Sequence, residues 1–517
     1  MKLMRSILLP DLERRRLLGC AAAFPLIAAS GCRPSSSSRS ADEAGIFDES
    51  RPAPNLPTER SADIVIVGAG GAGLAAAARA AEIGASVIVL EKMPSIGGNT
   101  LLASGYYAAV EPERQGAAGI SDSVEDFYGL LYANAGPKAD SARLMRLALE
   151  AGPVMRWLEG LGVTFGREVY EISGSLFPRN YRPVMPNGEG YVRQLSARAL
   201  QLGVRLETDC RALALGSRMT AQGVARVENV LARRADGSLA RFTGKLGILI
   251  ASGGFSASSA MLERFAPRYA HLGHDNAPGA TGEMLLAARD AGARLRDMDV
   301  VQCQPGCPPG GKRRVRFHND VERFILLDAD GRRFVAEDGR RDAIRDRVTA
   351  LPGGLARILI DDDGFRSYNR SIQQEAVLAV ESGDAVSADS LEDLARQAGL
   401  SGAVLRETVE RYNRGIREGR DELGKNVRNA HPIARPPFWM STVAMTVHAT
   451  SGGIDVDAVG RVLDTEGSVI PGLWAAGEAV GGLHGENQLG GCGLTDAFVF
   501  GHAAAESILG VSTYTSV

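Results

Sequence analysis

A glycine-rich turn lies between a predicted strand and a predicted helix near the start of the folded part of the chain. The strand is the β-branched run at 63–67, and an alanine-rich stretch follows the turn. A G-x-G-x-x-G pattern in this place makes a tight turn, lets the backbone approach a pyrophosphate and lets the helix pack closely on the strand. The helix N-terminus adds partial positive charge. We therefore predict that a dinucleotide contacts Gly68, Gly70, Gly71, Ala72 and Gly73.

An acidic residue ends the next predicted strand, where this motif requires one. The apolar run at 86–90 leads into Glu91 and Lys92, and Glu91 stands 18 residues after Gly73. A carboxylate at this point accepts hydrogen bonds from the ribose hydroxyls of the adenosine half. The strand, helix, second strand and acid together make the pattern far more specific than the glycines alone.

Further glycine pairs favour FAD over NAD as the dinucleotide. One pair follows Glu91 closely, a second ends the apolar run at 247–252, and another apolar run near the C-terminus reaches Gly477. FAD domains are assembled from segments that lie far apart in the chain. The additional candidate cofactor-binding residues in these segments are Gly97, Gly98, Asn99, Thr100, Ser104, Gly105, Gly253, Gly254 and Glu478.

Length and composition limit the class of protein that must position these residues. The 517 residues, 45% hydrophobic and 23% charged, fit a globular protein of two to four domains. A net charge of -3 argues against a nucleic-acid partner. The histidines are scattered and no metal-ligand spacing or haem-attachment motif occurs, so we expect no metal. Glycine, with 62 residues, is enriched, which indicates many tight turns.

The first 32 residues resemble an export signal. Twin arginines with leucines at 14–18 precede a short apolar stretch, as in a Tat signal, and Cys32 ends it in a lipoprotein-like sequence. A basic N-terminus with a short membrane anchor is the alternative. Residues 33–60 are rich in Ser, Pro, Arg and Glu and predict a flexible linker. We expect an exported protein of the periplasm or cell envelope, with or without a lipid anchor.

Together the motifs resemble the soluble fumarate reductase and flavocytochrome c flavoprotein family, which includes urocanate reductases and has 3-ketosteroid dehydrogenases as relatives. The similarity covers about 61–510, and its most specific segments are 97–100, 276–283, 331–337 with 341–342, 448 with 452–453, and 477–485. The resemblance adds Asn276, Gly282, Gly493 and Leu494 to the candidate cofactor-binding residues.

This resemblance implies an α/β fold in which a Rossmann-like FAD-binding domain is split by an inserted α+β capping domain. The FAD-binding domain would comprise 61–298 and 448–510, and the capping, substrate-binding domain 299–447. Some relatives attach FAD through a histidine where Asn99 and Thr100 stand here. We therefore expect non-covalent FAD.

The resemblance also implies a mechanism in which the flavin gives hydride to one carbon of an activated alkene and an arginine protonates the other. Arg341 matches that arginine, although residues 340–342 would also fit a solvated charge cluster. His448 matches a family histidine that holds a substrate oxygen, and a packed polar role is the alternative.

Two residues depart from the dicarboxylate reductases of this family. Gln304 stands where those enzymes have a histidine, and Gln488 where they have an arginine. Loss of a bidentate arginine removes a contact worth roughly 1.5–3 kcal/mol, so fumarate should bind poorly. The basic run at 312–316 either supplies substitute charge or forms a solvated face.

Two tyrosines follow Gly105, where the dicarboxylate enzymes have smaller or more flexible residues. Tyr107, with its neighbour Tyr106, is a candidate for stacking on a substrate or for hydrogen bonding to its carbonyl, and simple packing is the alternative. The glutamines and tyrosines together favour a larger substrate with fewer charges than fumarate.

The resulting prediction is an exported FAD-dependent reductase of an enoate or enone. A separate quinol-linked or cytochrome carrier would supply electrons, because the sequence has no haem motif and no second nucleotide fingerprint. The alternative is a dehydrogenase of a 3-ketosteroid-like ketone or carboxylic acid. A third possibility is a flavin-binding protein without catalysis.

Overall fold

The computed structural model describes residues 59–511 of the chain. The predicted export signal and all of the predicted linker except Glu59 and Arg60 lie outside the described residues. The strands are β1 (Glu59–Val67), β2 (Val87–Leu90), β3 (Tyr107–Ala108), β4 (Asn180–Tyr181), β5 (Arg205–Glu207), β6 (Arg211–Met219), β7 (Ala225–Arg233), β8 (Leu239–Ile250), β9 (Leu295–Arg296), β10 (Val301–Gly306), β11 (Ile325–Leu327), β12 (Leu355–Ile360), β13 (Ala385–Ala388), β14 (Phe438–Thr450), β15 (Gly453–Ile454), β16 (Arg461–Leu463) and β17 (Val469–Ala475).

Helices cover the strands. They are α1 (Gly71–Glu82), α2 (Gly98–Leu102), α3 (Pro112–Ala117), α4 (Val124–Ala135), α5 (Ser141–Gly160), α6 (Glu189–Gln201), α7 (Ser259–Phe265), α8 (Glu283–Asp290), α9 (Arg341–Thr349), α10 (Asp362–Ser367), α11 (Arg370–Ser382), α12 (Leu391–Gln397), α13 (Gly402–Glu418) and α14 (Cys492–Ile508). Within residues 59–511, none of these helices is both long enough and apolar enough to cross a membrane.

The larger sheet has eight strands, and the glycine-rich turn follows its inner strand β1. Its main order is β16-β17-β8-β1-β2-β5, and β7 joins β8 to β6. β1 runs parallel to β2 and β8, and β8 runs parallel to β17. The last four residues of β1 are buried, as expected for a parallel strand covered on both faces. The prediction of an α/β fold with a Rossmann-like parallel sheet is confirmed.

Small residues bring α1 and α14 together on one face of this sheet. A Cβ on Gly501 of α14 would lie 2.3 Å from the carbonyl oxygen of Ala72 in α1. The alanine-rich sequence of α1 therefore serves close helix packing. Because α1 begins directly after β1, this packing also fixes the glycine-rich turn.

The second sheet has five strands and lies in the segment predicted to form the cap. Its order is β10-β14-β12-β11 with β13 on β14, and all its pairs are antiparallel. The long strand β14 is central to this sheet. It crosses the predicted boundary between residues 447 and 448, and the domain limits remain predictions.

Candidate active site

A large cavity lies at the C-terminal ends of the parallel strands. It has about 1970 Å³ of empty space, part of it open to solvent. Gly68, Glu91, Ala251 and Ala476, which directly follow β1, β2, β8 and β17, all line it. Ligands of open α/β sheets bind at this edge. The second sheet closes the cavity from the other side through residues of β10 and β14.

The glycine-rich turn forms an open cradle at one end of this cavity. Gly68 has a φ of 107°, and a Cβ there would lie 2.3 Å from the carbonyl oxygen of Ala251. A Cβ on Gly73 would lie 1.9 Å from the carbonyl oxygen of Gly68, whereas one on Gly70 would meet nothing closer than 4.0 Å. The turn is thus tightly packed against the protein at Gly68 and Gly73 and open towards the cavity at Gly70, which leaves room for a pyrophosphate.

The N-terminus of α1 is available to an anion. Gly70 caps this helix without a side-chain hydrogen bond, and the first turn contains no acidic residue. The amide of Gly71 donates to Thr100 Oγ1 at 3.0 Å. The helix dipole and the uncapped turn therefore favour a phosphate at this place.

Glu91 is held beside the same turn. Its Oε2 accepts from the amide of Ala69 at 2.9 Å, and its Oε1 accepts from the amide of Met93 at 2.9 Å. Each carboxylate oxygen has a second lone pair for a ribose hydroxyl. Lys92, the next residue, is ion-paired with Glu283 at 2.7 Å.

Residues far apart in the chain meet at the middle of the cavity. Asn99 Oδ1 accepts from the amide of Ala277 at 2.8 Å, and its Nδ2 donates to Glu478 at 3.3 Å. Asn276 Nδ2 donates to the carbonyl oxygen of Val447 at 2.9 Å. Burial raises the pKa of Glu478 above its usual value. The open cradle, the uncapped helix and Glu91 fit FAD, whose adenine half would lie near Glu91.

All but four of the predicted cofactor-binding residues line the cavity. The exceptions are Gly73, Gly97, Gly254 and Gly282, and they serve close packing instead. For example, a Cβ on Gly254 would lie 2.1 Å from Thr450 Oγ1, and one on Gly97 would lie 2.9 Å from Leu101 Cβ. These glycines shape the walls around the cavity.

Arg341 begins α9 and lines the cavity at the side of the second sheet. Its Nε donates to the carbonyl oxygen of Ser173 at 3.0 Å, and Gly174 is a glycine because a Cβ would lie 2.6 Å from Arg341 Cγ. Desolvation lowers the pKa of Arg341 to about 10. Within residues 59–511 this guanidinium has no ion-pair partner, which distinguishes it from Arg340, paired with Asp342.

His448 lies at a β-bulge in β14. Gln302 pairs with Ala449 and Cys303 pairs with Val447, so His448 is the extra residue between the two pairs. Bulges redirect a side chain beside many active sites. His448 lines the cavity, and its Nδ1 lies 3.5 Å from Asp275 Oδ1.

The two predicted glutamines also line the cavity. Gln304, on β10, donates from Nε2 to Asp275 Oδ2 at 2.8 Å. The backbone amide of Gln488 donates to Gln302 Oε1 at 3.1 Å. The structure therefore brings Arg341, His448, Gln304 and Gln488 to one cavity, and their catalytic roles remain proposals.

Tyr107 does not line the cavity, and the prediction that places it in the site needs correction. Its side chain is fully buried, its hydroxyl donates to the carbonyl oxygen of Ala151 at 2.8 Å, and its ring stacks on Phe498. Tyr106 directly precedes Tyr107, the first residue of β3, and only one tyrosine of the pair lines the cavity. That residue is Tyr106.

Asp275 and the basic run add charges that the sequence prediction missed or left open. Arg314 and Arg316 line the cavity and are paired with Asp275 and Glu375, respectively. Burial alone raises the pKa of Asp275, but the charges of His448 and Arg314 lower it overall. Asp275 stands alone in a loop before α8, and its spacing in the sequence carries no signal of this role.

A family model described as FAD binding domain matches residues 63–494. NADH:acrylate oxidoreductase of Vibrio harveyi is 31% identical over 87% of this chain and 50% of its own length. Fumarate reductase (cytochrome) of Shewanella frigidimarina is 30% identical over 86% of this chain and 76% of its own length. Urocanate reductase of Eggerthella lenta is 31% identical over 86% of this chain and 73% of its own length. The chain thus spans only about half the length of the relative from Vibrio harveyi.

Solved structures agree with these relatives. The open conformation of a flavocytochrome c3 fumarate reductase superposes with a TM-score of 0.69 and 26% identity, covering 88% of this chain and 79% of the other. The 3-ketosteroid-Δ4-(5α)-dehydrogenase from Rhodococcus jostii RHA1 superposes with a TM-score of 0.65 and 27% identity, covering 88% of this chain and 98% of the other. The predicted resemblance is confirmed. The chain belongs to the FAD-binding flavoprotein family of the fumarate and urocanate reductases, and its cofactor is FAD.

Proposed function

We propose that this protein is an exported FAD-dependent oxidoreductase that reduces the C=C bond of an α,β-unsaturated carbonyl compound, an enoate or an enone. The observation that carries this proposal is Arg341, a cation without an ion-pair partner in residues 59–511, on the wall of the cavity that holds the cofactor cradle. Relatives named as acrylate, fumarate and urocanate enzymes support the same reaction class. Bound FAD supplies hydride to the alkene.

Arg341 is suited to give the proton. Its Nε is anchored on Ser173, and its terminal nitrogens make no hydrogen bond within the described residues. Because desolvation lowers its pKa to about 10, it is a stronger acid than an ordinary arginine and still protonated at neutral pH. Its charge also stabilises the enolate that develops as hydride adds. His448 would hold a substrate oxygen.

The charges around the cavity favour a monoacid or a neutral enone over a dicarboxylate. Arg314 and Arg316 are already paired with carboxylates, and Gln304 and Gln488 are neutral. This leaves Arg341 as the cation at this side without a carboxylate partner in the described chain. One unpaired cation matches one substrate carboxylate. The second carboxylate of fumarate would meet no equivalent charge.

Electrons would come from a separate carrier, quinol-linked or a cytochrome. The relative named as a cytochrome-dependent fumarate reductase supports this part of the proposal. The export signal predicted for residues 1–32 would put the reaction in the periplasm or cell envelope. Asn99 and Thr100 offer no imidazole for attachment, so FAD would be held non-covalently.

Dehydrogenation of a 3-ketosteroid-like ketone or a carboxylic acid is the second candidate. The similarity to the 3-ketosteroid dehydrogenase structure favours it. The relatives named for reduction of acrylate, fumarate and urocanate favour the reductive direction. Tyr107 is buried in the core, so a phenol facing a ketone substrate would come from Tyr106.

Steady-state assays with reduced methyl viologen as donor test the proposal. The panel contains acrylate, cinnamate, fumarate and a cyclic enone. A saturated ketosteroid is assayed separately with an oxidised artificial electron acceptor, because its dehydrogenation releases electrons. We expect turnover of a monoacid or the enone, and much slower turnover of fumarate. Equal rates with fumarate would refute the specificity that we assign to the glutamines. Failure with every alkene would refute the reductase.

A further inference from the structure

One carboxylate, Asp275, organises the corner of the cavity that contains His448. Asp275 Oδ2 accepts hydrogen bonds from Gln304 Nε2 at 2.8 Å and from Arg314, and its Oδ1 lies 3.5 Å from His448 Nδ1. All four side chains line the cavity, and the Asp275 side chain is only 7% exposed. The three residues that it holds therefore have fixed orientations.

The Gln304 amide has only one chemically sensible orientation beside this carboxylate. An ionised carboxylate accepts hydrogen bonds and cannot donate them, so the amide nitrogen must face Asp275. Asp275 is ionised at neutral pH because Arg314 and His448 keep its pKa low despite burial. The amide oxygen of Gln304 is then left over, and it has no hydrogen-bond partner within residues 59–511.

We infer that this corner, formed by Asp275, Gln304, Arg314 and His448, selects a substrate group that donates a hydrogen bond. This inference rests on the proposed function and specifies its substrate class. The preferred substrate is an enoate that bears one carboxylate and, on its other substituent, a hydroxyl or ring N–H. A carboxylate beside the Gln304 amide oxygen has no proton to share with it, so the two acceptors repel each other.

The same arrangement makes Gln304 a specificity-determining residue and Asp275 a positioning residue. A buried acceptor that loses its donor is costly, so sites built around a substrate hydroxyl discriminate strongly against analogues that lack it. A methyl group has nearly the size of a hydroxyl and donates no hydrogen bond. It is therefore the sharpest comparison.

The test compares 4-hydroxycinnamate with 4-methylcinnamate on the FAD-loaded protein. We expect kcat/KM to favour the hydroxyl compound by at least about tenfold. In the oxidised protein, perturbation of the flavin spectrum should show the same preference in the Kd values of the two saturated acids. This second readout needs no turnover.

Gln304→Leu should bring both ratios close to one, because it removes the acceptor and leaves Arg341 in place. Asp275→Asn should lower the ratios as well, because an asparagine at this position lets the glutamine amide turn over. Gln397→Leu, at an exposed site on α12, is the matched control and should keep the wild-type ratios. If Asp275→Asn fails to fold, the kcat/KM and Kd ratios of Gln304→Leu still test the inference.

The inference is wrong if the wild type reduces both compounds with similar kcat/KM. It is also wrong if the preference survives in Gln304→Leu. Either result leaves the reductase proposal intact, because both cinnamates are then still reduced. Reduction of neither cinnamate, nor of any other enoate or enone, refutes the proposed function instead.

Discussion

The two sides of the cavity are built in different ways. The cofactor side consists of turns at the ends of parallel strands, where glycines and backbone amides face the ligand. The substrate side consists of long charged and amide side chains from β10, β14 and the start of α9, each held by a buried partner. The first side recognises a ligand through main-chain shape, and the second through side-chain charge.

This difference predicts that variants on the two sides fail differently. A change on the cofactor side should weaken FAD binding and leave substrate preference intact. A change on the substrate side should leave FAD bound and alter turnover, selectivity or pH dependence. Any variant that moves both properties equally would break the comparison.

The largest effect is expected for Arg341→Lys. A lysine side chain ends in a single ammonium group. This group cannot both donate to the carbonyl oxygen of Ser173 and reach the substrate, so proton donation should fail. We expect enoate turnover to fall by at least about 100-fold with FAD retained. The measurement is steady-state kinetics beside flavin content.

Arg340→Lys is the matched control for that variant. Arg340 is paired with Asp342 and is 36% exposed, so turnover should stay near the wild-type rate. Near-normal turnover of Arg341→Lys would remove Arg341 from the mechanism. Loss of flavin from Arg341→Lys would show that a change on the substrate side also affects FAD binding.

The next largest effect is expected on the cofactor side, for Gly70→Ala. Its new methyl group would meet nothing in the protein within 4 Å except the carbonyl oxygen of Gly97, so it would enter the space of the pyrophosphate. We expect the Kd for FAD to rise at least about tenfold, or about 1.4 kcal/mol. Titration of the apoprotein with FAD measures this.

Gly129→Ala, in the middle of α4 with open space around it, is the control. It should bind FAD normally and gain up to about 1 kcal/mol of stability. If Gly70→Ala binds FAD as tightly as the control does, the cradle does not hold the pyrophosphate.

The sequence predicted these two sides unequally. Glu91 could be recognised because strand, turn and acid are close in the chain and their geometry repeats wherever the motif occurs. Asp275 could not, because its role depends on the register of β10 and β14, which places Gln304 and His448 on neighbouring strands. Tyr107 was misplaced because two adjacent tyrosines leave open which one faces inward.

Some predicted glycines illustrate a related limit. Gly73 lies against Gly68, in the close packing that the motif implies, and Gly254 lies against Thr450. Neither glycine lines the cavity. A glycine pattern shows that the backbone comes close to something, and only the fold shows what that is.

The smallest effect concerns a pair of carboxylates outside the cavity. Burial, with nearby Asp320 and Glu171, raises the pKa of Glu322 to about 7, and burial with Asp338 raises that of Glu171 to about 6. The folded state thus holds extra protons, and this stabilisation is lost as pH rises from about 4.5 through 7. Burial of these two carboxylates should therefore make the unfolding free energy of the protein depend on pH.

Glu322→Gln should reduce this loss. Between about pH 5 and about pH 8, the wild type should lose about 1 kcal/mol more unfolding free energy than the variant, after allowance for partial solvent screening. Urea unfolding at both pH values measures it. Glu410→Gln, exposed on α13, should behave as the wild type does, and identical pH profiles for all three proteins would contradict the assignment.

The most direct test of the whole account is a single turnover without oxygen. The FAD-loaded protein is reduced with one equivalent of dithionite and mixed with cinnamate or acrylate, and both the flavin and the organic product are quantified. The account predicts that the flavin is reoxidised and that one equivalent of the saturated acid forms per FAD. A flavin that stays reduced with every enoate and enone, or that reoxidises without a saturated product, would contradict it.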